Sequence, residues 1–218
     1  MIKLISATPS PWARKVRIIL IEKGLPVEIV NDVPWSAETC VSEFNPLEKL
    51  PILIVDGDVI YESRLIVEWL ERMFADPPLI PADDRTYLFA KKCEVLADGA
   101  LDALLLYQLE KGRRQCNPDW LDRQRRKLVR GVAEVAKIVG NADFAVASRF
   151  TIADAAFASL LGALDFCVAE KRLIEYDWRA LHDDLRIYFE KLGDRPAVRD
   201  TAPVMFDFDL QKQMAGAD

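Results

Sequence analysis

The chain reads as an α/β domain followed by an all-α helical-bundle domain, and three features of the sequence say so. Up to about residue 76, short apolar runs of strand length alternate with amphipathic segments of helical period. Three prolines then fall within Asp76-Pro77-Pro78-Leu79-Ile80-Pro81, a composition that suits a linker. Beyond them, apolar residues recur at helical spacing to the end of the chain. The expected organisation is residues 1–76 as the α/β domain, 77–84 as linker and 85–218 as the helical domain.

Ile2 to Ser6 alternates well enough for a first strand. After the loop Ala7-Thr8-Pro9, Ser10 followed by Pro11 supplies an N-cap with proline at the first helical position. Trp12, Val16, Ile19, Leu20 and Lys23 share one face of that helix, and Gly24 and Pro26 end it. Val27 to Asn31 is a second strand, so the opening unit is strand, helix, strand with a right-handed crossover and a parallel pair. Asp32 to Phe44 reads as loop with a short irregular helix.

Asn45 to Ser63 is the most informative stretch. It opens on an Asn-Pro turn, enters an apolar strand at Pro51, reverses at Asp56-Gly57-Asp58 and returns through Val59 to Tyr61. A strand that opens on proline has given up one backbone donor, and such a position accommodates either a trans or a cis bond, trans being far commoner. Ser63 reads as the N-cap of a helix carrying Leu65, Ile66, Trp69, Leu70 and Met73. The positive end of that helix then points at whatever lies beside Pro51, and such an end attracts carboxylates.

In the second half, one long helix spans about Asp84 to Gly112, with Cys93, Leu96, Ala100, Leu104 and Tyr107 along one side. Asn117-Pro118 starts another, carrying Leu121, Leu128, Val132, Val135 and Val139 until Gly140-Asn141, so the two run antiparallel. Ile152 to Val168 is apolar nearly all round, as in a helix at the centre of a bundle. A membrane span is the alternative, but Asp154 and Asp165 fall inside a run already short for a bilayer. Thr151 and Asp154 have capping-box spacing, with Phe150 placed for a hydrophobic staple. Leu181, Leu185, Tyr188, Phe189 and Leu192 mark a further helix ending before Pro196, and the tail after Leu210 is expected to fray.

Charge and cysteine usage narrow the function classes. A net charge of −6 leaves no broad basic surface for nucleic acid. The single basic run, Arg123, Arg125, Arg126, Lys127 and Arg130, reads as a solvated helix face. Cys40, Cys93, Cys116 and Cys167 are scattered without a C-x-x-C pair, so neither a zinc site nor a dithiol motif is indicated. His182, the only histidine, lies in a polar helical context and leaves no histidine cluster for a metal. The first residues lack the apolar length of a signal peptide, and the expected location is cytoplasmic.

Leu50-Pro51 followed a hairpin later by Glu62-Ser63, and preceded by Ser10-Pro11-Trp12-Ala13-Arg14-Lys15-Val16-Arg17, resembles the thioredoxin-like domain of a serine-type bacterial glutathione transferase. The likeness extends into the second half through the capping motif at Thr151 and Asp154. It implies glutathione as co-substrate with no metal, a small hydrophobic electrophile as the other partner, a homodimer, and neither nucleic acid nor membrane as partner. Ser10, six residues before Val16 as in the zeta class, takes the position of the residue that donates a hydrogen bond to the glutathione thiolate. As plain structure, the same hydroxyl is a helix cap.

By the same resemblance, the Leu50 backbone at a cis Pro51 pairs with the cysteinyl part of glutathione, Ser63 takes the γ-glutamyl carboxylate, Glu62 its amine and Lys49 the glycyl carboxylate. Asp98 matches an acid that reaches the γ-glutamyl amine across a dimer interface, with a plain surface acid as the alternative. Trp12, Tyr107 and Phe206 are candidates for the electrophile pocket, with core packing as their other reading. Pro11-Trp12 follows Ser10 at once, where the zeta pattern has serine and cysteine, so maleylacetoacetate isomerase is not specifically indicated. The implied activity is a detoxifying glutathione S-transferase. The alternatives are a catalytically silent glutathione-transferase-like interaction protein and a glutathione-dependent isomerase, disulfide reductase or dehalogenase.

Overall fold

The computed structural model describes residues 1–170 and 176–205. Contacts divide the chain into two units, Met1–Pro77 with the segment from Thr201 onward, and Pro78–Asp200.

The first unit is a four-stranded mixed sheet with three helices. In chain order it runs β1 (Ile2–Ser6), α1 (Pro11–Glu22), β2 (Glu28–Asn31), α2 (Val41–Phe44), β3 (Ile52–Val55), β4 (Asp58–Tyr61) and α3 (Ser63–Met73). The strand order is β2-β1-β3-β4. β1 pairs parallel with β2, and β3 pairs antiparallel with both β1 and β4. The parallel pair needs the α1 crossover, whereas Gly57 at φ +101 lets β3 and β4 join by a tight turn. Leu4, Ile5, Val16, Ile19, Leu20, Ile52, Leu53, Ile66 and Leu70 form its core, all at most 2% exposed.

Two buried cations tie this unit together. Lys23, the C-cap of α1, donates from Nζ to the carbonyls of Phe74 (2.7 Å) and Pro77 (2.9 Å) and pairs with Glu71 at 2.8 Å. Arg14 donates from Nε to Thr201 Oγ1 at 3.4 Å, which ties Thr201 to α1. The helical pattern places Lys23 on an apolar face but gives no hint that three oxygens wait there.

The second unit is helical: α4 (Asp84–Lys111), α5 (Pro118–Val139), α6 (Ile152–Ala169), α7 (Trp178–Leu181), α8 (Asp183–Gly193) and α9 (Pro196–Arg199). The prolines before it are pinned rather than loose, since Leu79 is buried and its carbonyl accepts from Ile152 N at 3.0 Å. α4 and α5 approach closely at Gly131, where an added Cβ would lie 3.1 Å from Ala100 Cβ. α6 is long and apolar enough to cross a membrane, yet 78% of it is buried inside the fold, so it is the core helix of the bundle. The basic run on α5 is exposed, with Arg126 paired to Asp122. His182 is half-buried, its Nε2 3.3 Å from Tyr176 Oη.

The start of α6 is the most heavily bonded point of this unit. Thr151 Oγ1 accepts from Ala153 N (3.2 Å), while the Asp154 carboxylate accepts from Thr151 N (2.8 Å), Thr151 Oγ1 (3.0 Å), Ala145 N (2.8 Å) and Tyr188 Oη (2.7 Å). Burial pushes the Asp154 carboxyl above its usual range while these donors pull it back, and burial with the Asp154 charge pushes the Tyr188 phenol up. Asp154→Ala strands Ala145 N, Thr151 N and the Tyr188 hydroxyl in the core. At about 1 kcal/mol or more for each group left unsatisfied, the variant loses about 3 kcal/mol of stability, read as a lowered urea midpoint with an unchanged slope.

Candidate functional site

Three backbone features meet at one end of the first unit's sheet. The pairings Ile5↔Ile52 and Ile52↔Tyr61 put the last residues of β1 and β4 beside the first residue of β3. Continued one step, the register brings Ser6 and Glu62 to either side of Pro51. β2 runs parallel to β1 with Ser6↔Asn31, so the loop from Asp32 leaves from the same end. Ser10 and the start of α1, Leu50-Pro51, and Glu62 with the start of α3 are therefore neighbours by topology.

At the first of these, Ser10 sits at φ −72, ψ 117 and its Oγ accepts from Ala13 N at 3.3 Å, a long cap bond. Ser10 N donates to Ala7 O at 3.1 Å, and Arg17 donates from Nη2 to Thr8 O at 3.1 Å, so the loop ahead of Ser10 is braced from α1 itself. Long side chains on a helix point back toward its N-terminus, which lets Arg17 reach past two turns to Thr8. No periodicity in the sequence announces that contact. Trp12 is half-buried on the first turn of α1.

At the second, the Leu50–Pro51 bond is cis, as the resemblance implies. Leu50 is half-buried against Ile5, Val41 and Ile52, while Lys49 is exposed. Asn45 shapes this turn: only 1% exposed, it accepts from Leu47 N at 2.9 Å and donates from Nδ2 to Lys49 O at 2.8 Å. The sequence marks Asn45-Pro46 as a turn opener but does not reveal that the amide reaches forward to the residue before Leu50.

At the third, the cap falls one residue earlier than expected. Glu62, at φ 74, ψ 116, is the N-cap of α3, and Oε1 accepts from Arg64 N at 3.3 Å; Ser63 is the first helical residue. The correction follows from the backbone, since the left-handed turn at Glu62 aims its own carboxylate at the helix start. Ser63 is 2% exposed and its Oγ donates to Glu62 Oε1 at a weak 3.5 Å. Its N–H stands where the helix supplies no acceptor.

The loop after β2 closes the same end. Asp32 accepts from Val33 N (2.6 Å), Cys40 N (3.0 Å) and Cys40 Sγ (3.1 Å). Burial alone would raise the Asp32 carboxyl, but the hydrogen bonds from Cys40, Thr39 and Val33 hold it below the usual range. The bond to Asp32, together with burial, pushes the Cys40 thiol up. Cys40 is thus a poor thiolate, and what this end offers is hydrogen-bond donors rather than a protein nucleophile. Among the described residues, no group of three or more His, Cys, Asp or Glu side chains is arranged to hold a metal ion.

The remaining candidates belong elsewhere. Asp98 lies on α4 in the second unit and is 7% exposed, so it is no ordinary surface acid. Tyr107, also on α4, is half-buried with Lys111 Nζ 5.8 Å from its ring centroid. Phe206 lies outside the described residues.

Comparison with known proteins assigns both halves. Residues 9–73 match the profile of the glutathione S-transferase N-terminal domain, and residues 118–191 that of the glutathione S-transferase C-terminal domain. A glutathione S-transferase of Methylobacterium radiotolerans JCM 2831, solved with glutathione sulfonate, is 44% identical with a TM-score of 0.90 over 95% of this chain and 97% of that one. A glutathione S-transferase of Methylobacillus flagellatus KT, solved with glutathione bound, is 32% identical with a TM-score of 0.87 over 94% and 100%. The uncharacterised GST-like protein YibF of Escherichia coli K12 is 39% identical over 133 residues, which is 60% of this chain and just under two thirds (66%) of that relative.

The geometry at Glu62 generates a stability test. A β-branched residue is strained at its positive φ and glycine is not. Glu62→Val is expected to lose about 1 to 3 kcal/mol, and Glu62→Gly, which forfeits the cap bond and the weak contacts from Ser63 and Arg64 but relieves the positive φ, less than about 1 kcal/mol, in parallel thermal melts.

Proposed function

Because this chain belongs to the glutathione S-transferase family, we propose that it binds glutathione at the end of the β2-β1-β3-β4 sheet and activates its thiol as thiolate for attack on a small electrophile. The observation that supports this reading most strongly is the meeting of Ser10, Leu50-Pro51 and Glu62-Ser63 at one sheet end with the N-termini of α1 and α3 beside them. Each fragment of the tripeptide then finds its chemistry. The extended backbone at Leu50, lacking a donor at Pro51, pairs with the cysteinyl amide in strand fashion. The Ser63 hydroxyl and N–H take the γ-glutamyl carboxylate, favoured by the positive end of α3, and the exposed Glu62 carboxylate takes the amine. Lys49, exposed beside Leu50, meets the glycyl carboxylate.

In this reading Ser10 carries the chemistry. A thiol with pKa near 8.5 brought to about 6.5 requires about 2.7 kcal/mol of preference for the thiolate. A hydrogen bond to a charged acceptor supplies about 1.5 to 3 kcal/mol, and a helix N-terminus about 0.3 to 1 more. The proton leaves to solvent and the sulfur lone pair attacks the electrophilic carbon, with no protein base required. Trp12 stands on the first turn of α1, next to Ser10, and is assigned to the electrophile side. The serine-type mechanism, the cytoplasmic location and the domain limits at 76 and 84 belong to this proposal.

Dimerisation belongs to it too. The large exposed apolar side chains of the first half of α4, Tyr87 (41%), Leu88 (59%) and Val95 (52%), are what a buried subunit contact would cover. Asp98 is assigned, on family resemblance, to the γ-glutamyl amine of the partner's ligand. Sedimentation velocity is expected to show a species of twice the chain mass that dissociates when Leu88 and Val95 are both replaced by glutamate.

Ser63→Ala is expected to weaken glutathione binding by about 1 to 2 kcal/mol in calorimetry, the worth of one hydrogen bond to a charged group. An unchanged dissociation constant would remove Ser63 from the site. Ser10→Ala separates cap from catalyst. A cap alone costs about 1 kcal/mol of stability and leaves the ultraviolet thiolate band of bound glutathione in place. The proposed role predicts loss of that band near neutral pH and a turnover lower by about ten- to a hundredfold. Binding without turnover against a panel of electrophiles would turn the assignment to an interaction protein.

A further inference from the structure

Among the described residues, Arg17 is the least satisfied of the cations along α1. Lys23 meets two carbonyls and a carboxylate, and Arg14 meets Thr201. Arg17 is half-buried, yet among the described residues its guanidinium makes one hydrogen bond, from Nη2 to Thr8 O, and its Nε is buried with no acceptor. Desolvation lowers its pKa, and among the described residues no acidic neighbour opposes that. A guanidinium has five N–H donors in a planar fork, and taking it out of water without a counter-charge is costly. Its fixed geometry matches a carboxylate.

The place of that fork narrows what it meets. Thr8 stands two residues ahead of Ser10, so the unspent donors lie by the loop that carries the proposed thiolate donor. The proposed function already gives the γ-glutamyl and glycyl carboxylates of glutathione to Ser63 and Lys49, at the start of α3 and before β3. Neither needs Arg17. We propose that Arg17 forms an anion subsite for the electrophile, and that the substrates of this protein are small electrophiles bearing a carboxylate beside the carbon attacked by sulfur. The inference rests on the glutathione-binding reading and deepens it by naming the substrate class. For a haloarene acid, sulfur forms the new C–S bond, halide leaves with the C–halogen electron pair, and the carboxylate stays ionised against Arg17 throughout.

The test uses binding and turnover in wild type, Arg17→Gln and Arg17→Lys. Calorimetry compares S-(2-carboxyethyl)glutathione with S-propylglutathione, and kinetics compare 2-chloro-5-nitrobenzoate with its methyl ester. Wild type is expected to bind the carboxylated conjugate about tenfold tighter than the propyl one, the size of one charge-assisted hydrogen-bonded pair. In Arg17→Gln the ratio of the two dissociation constants falls to about one, and the acid-to-ester ratio of kcat/KM falls by a similar factor, while Arg17→Lys keeps part of both. Ratios unchanged in Arg17→Gln would overturn the inference, because they mean that Arg17 only braces the Thr8 loop. Equal affinity of wild type for both conjugates would also overturn it and leave glutathione binding standing. Failure of wild type to bind glutathione or either conjugate would bring down the underlying reading, and the inference with it.

Discussion

The register of β3 against its two neighbours is the constraint on which the rest of the site depends. Ile52 is paired to Ile5 on one side and Tyr61 on the other, and because Ile52 and Leu53 face opposite sides of the sheet and are both buried, a slip of one residue would exchange the faces they pack into. That register is held by burial: Ile5, Ile52 and Leu53 are at most 2% exposed. It is held also by Gly57, whose positive φ permits the short turn into β4. Once it is fixed, the ends of β1 and β4 arrive beside Pro51 without any side chain of the site taking part. The candidate binding residues are therefore positioned by a packed sheet rather than by one another. Substitutions among them ought to change ligand affinity more than fold.

The second unit is organised by a different kind of constraint. Its central helix carries almost no polar group, and its one buried charge near the start, Asp154, is surrounded by donors from Ala145, Thr151 and Tyr188. Those donors come from the segment before α6, the cap of α6 and α8, so a single carboxylate fixes three parts of the chain. Cys93 is pushed up to about 11, first by burial and then by the Asp154 charge. It remains a thiol and behaves as a small apolar side chain. The buried polar chemistry at the start of α6 is thus spent on folding.

Much of this was legible in the sequence because it is written in local signals. Pro11, Pro118 and the Thr151-Asp154 box mark helix starts at Ser10, Asn117 and Thr151, and Gly57 marks the hairpin, each through the backbone conformation that it alone permits or favours. The superfamily and both halves of the fold followed from those signals and the order of Ser10, Leu50-Pro51 and Glu62-Ser63. The cap of α3 was displaced by one residue because Glu62 adopts a positive φ, which nothing in Tyr61-Glu62-Ser63 requires. The reach of Asn45 to Lys49 O, of Arg17 to Thr8 O, of Lys23 to Phe74 and Pro77, and of Arg14 to Thr201 was not legible. Each joins residues through tertiary packing, and neither period nor propensity carries that information. The cis bond at Asp76-Pro77 and the short α7 likewise have no distinct signal.

A chain of net charge −6 must bind acidic ligands against its own field. At physiological ionic strength that field is screened beyond about 8 Å, so it weakens encounter but does little to a ligand already in contact. Selection for anions then falls to donors at hydrogen-bond range, and in the first unit these have different characters. The start of α3 offers an oriented backbone dipole and a hydroxyl, Lys49 an exposed and strongly hydrated point charge, and Arg17 a partly desolvated fork. The first two suit the two carboxylates of a peptide that is mostly solvated at its ends. A desolvated fork gains most from an anion that enters a water-poor site, because the attraction strengthens as the local dielectric falls and the cost of stripping the guanidinium is already borne by the fold. On the proposed assignment, discrimination between electrophiles falls to Arg17 on α1 and the carboxylates of glutathione to the start of α3 and Lys49, so that the two specificities can vary independently.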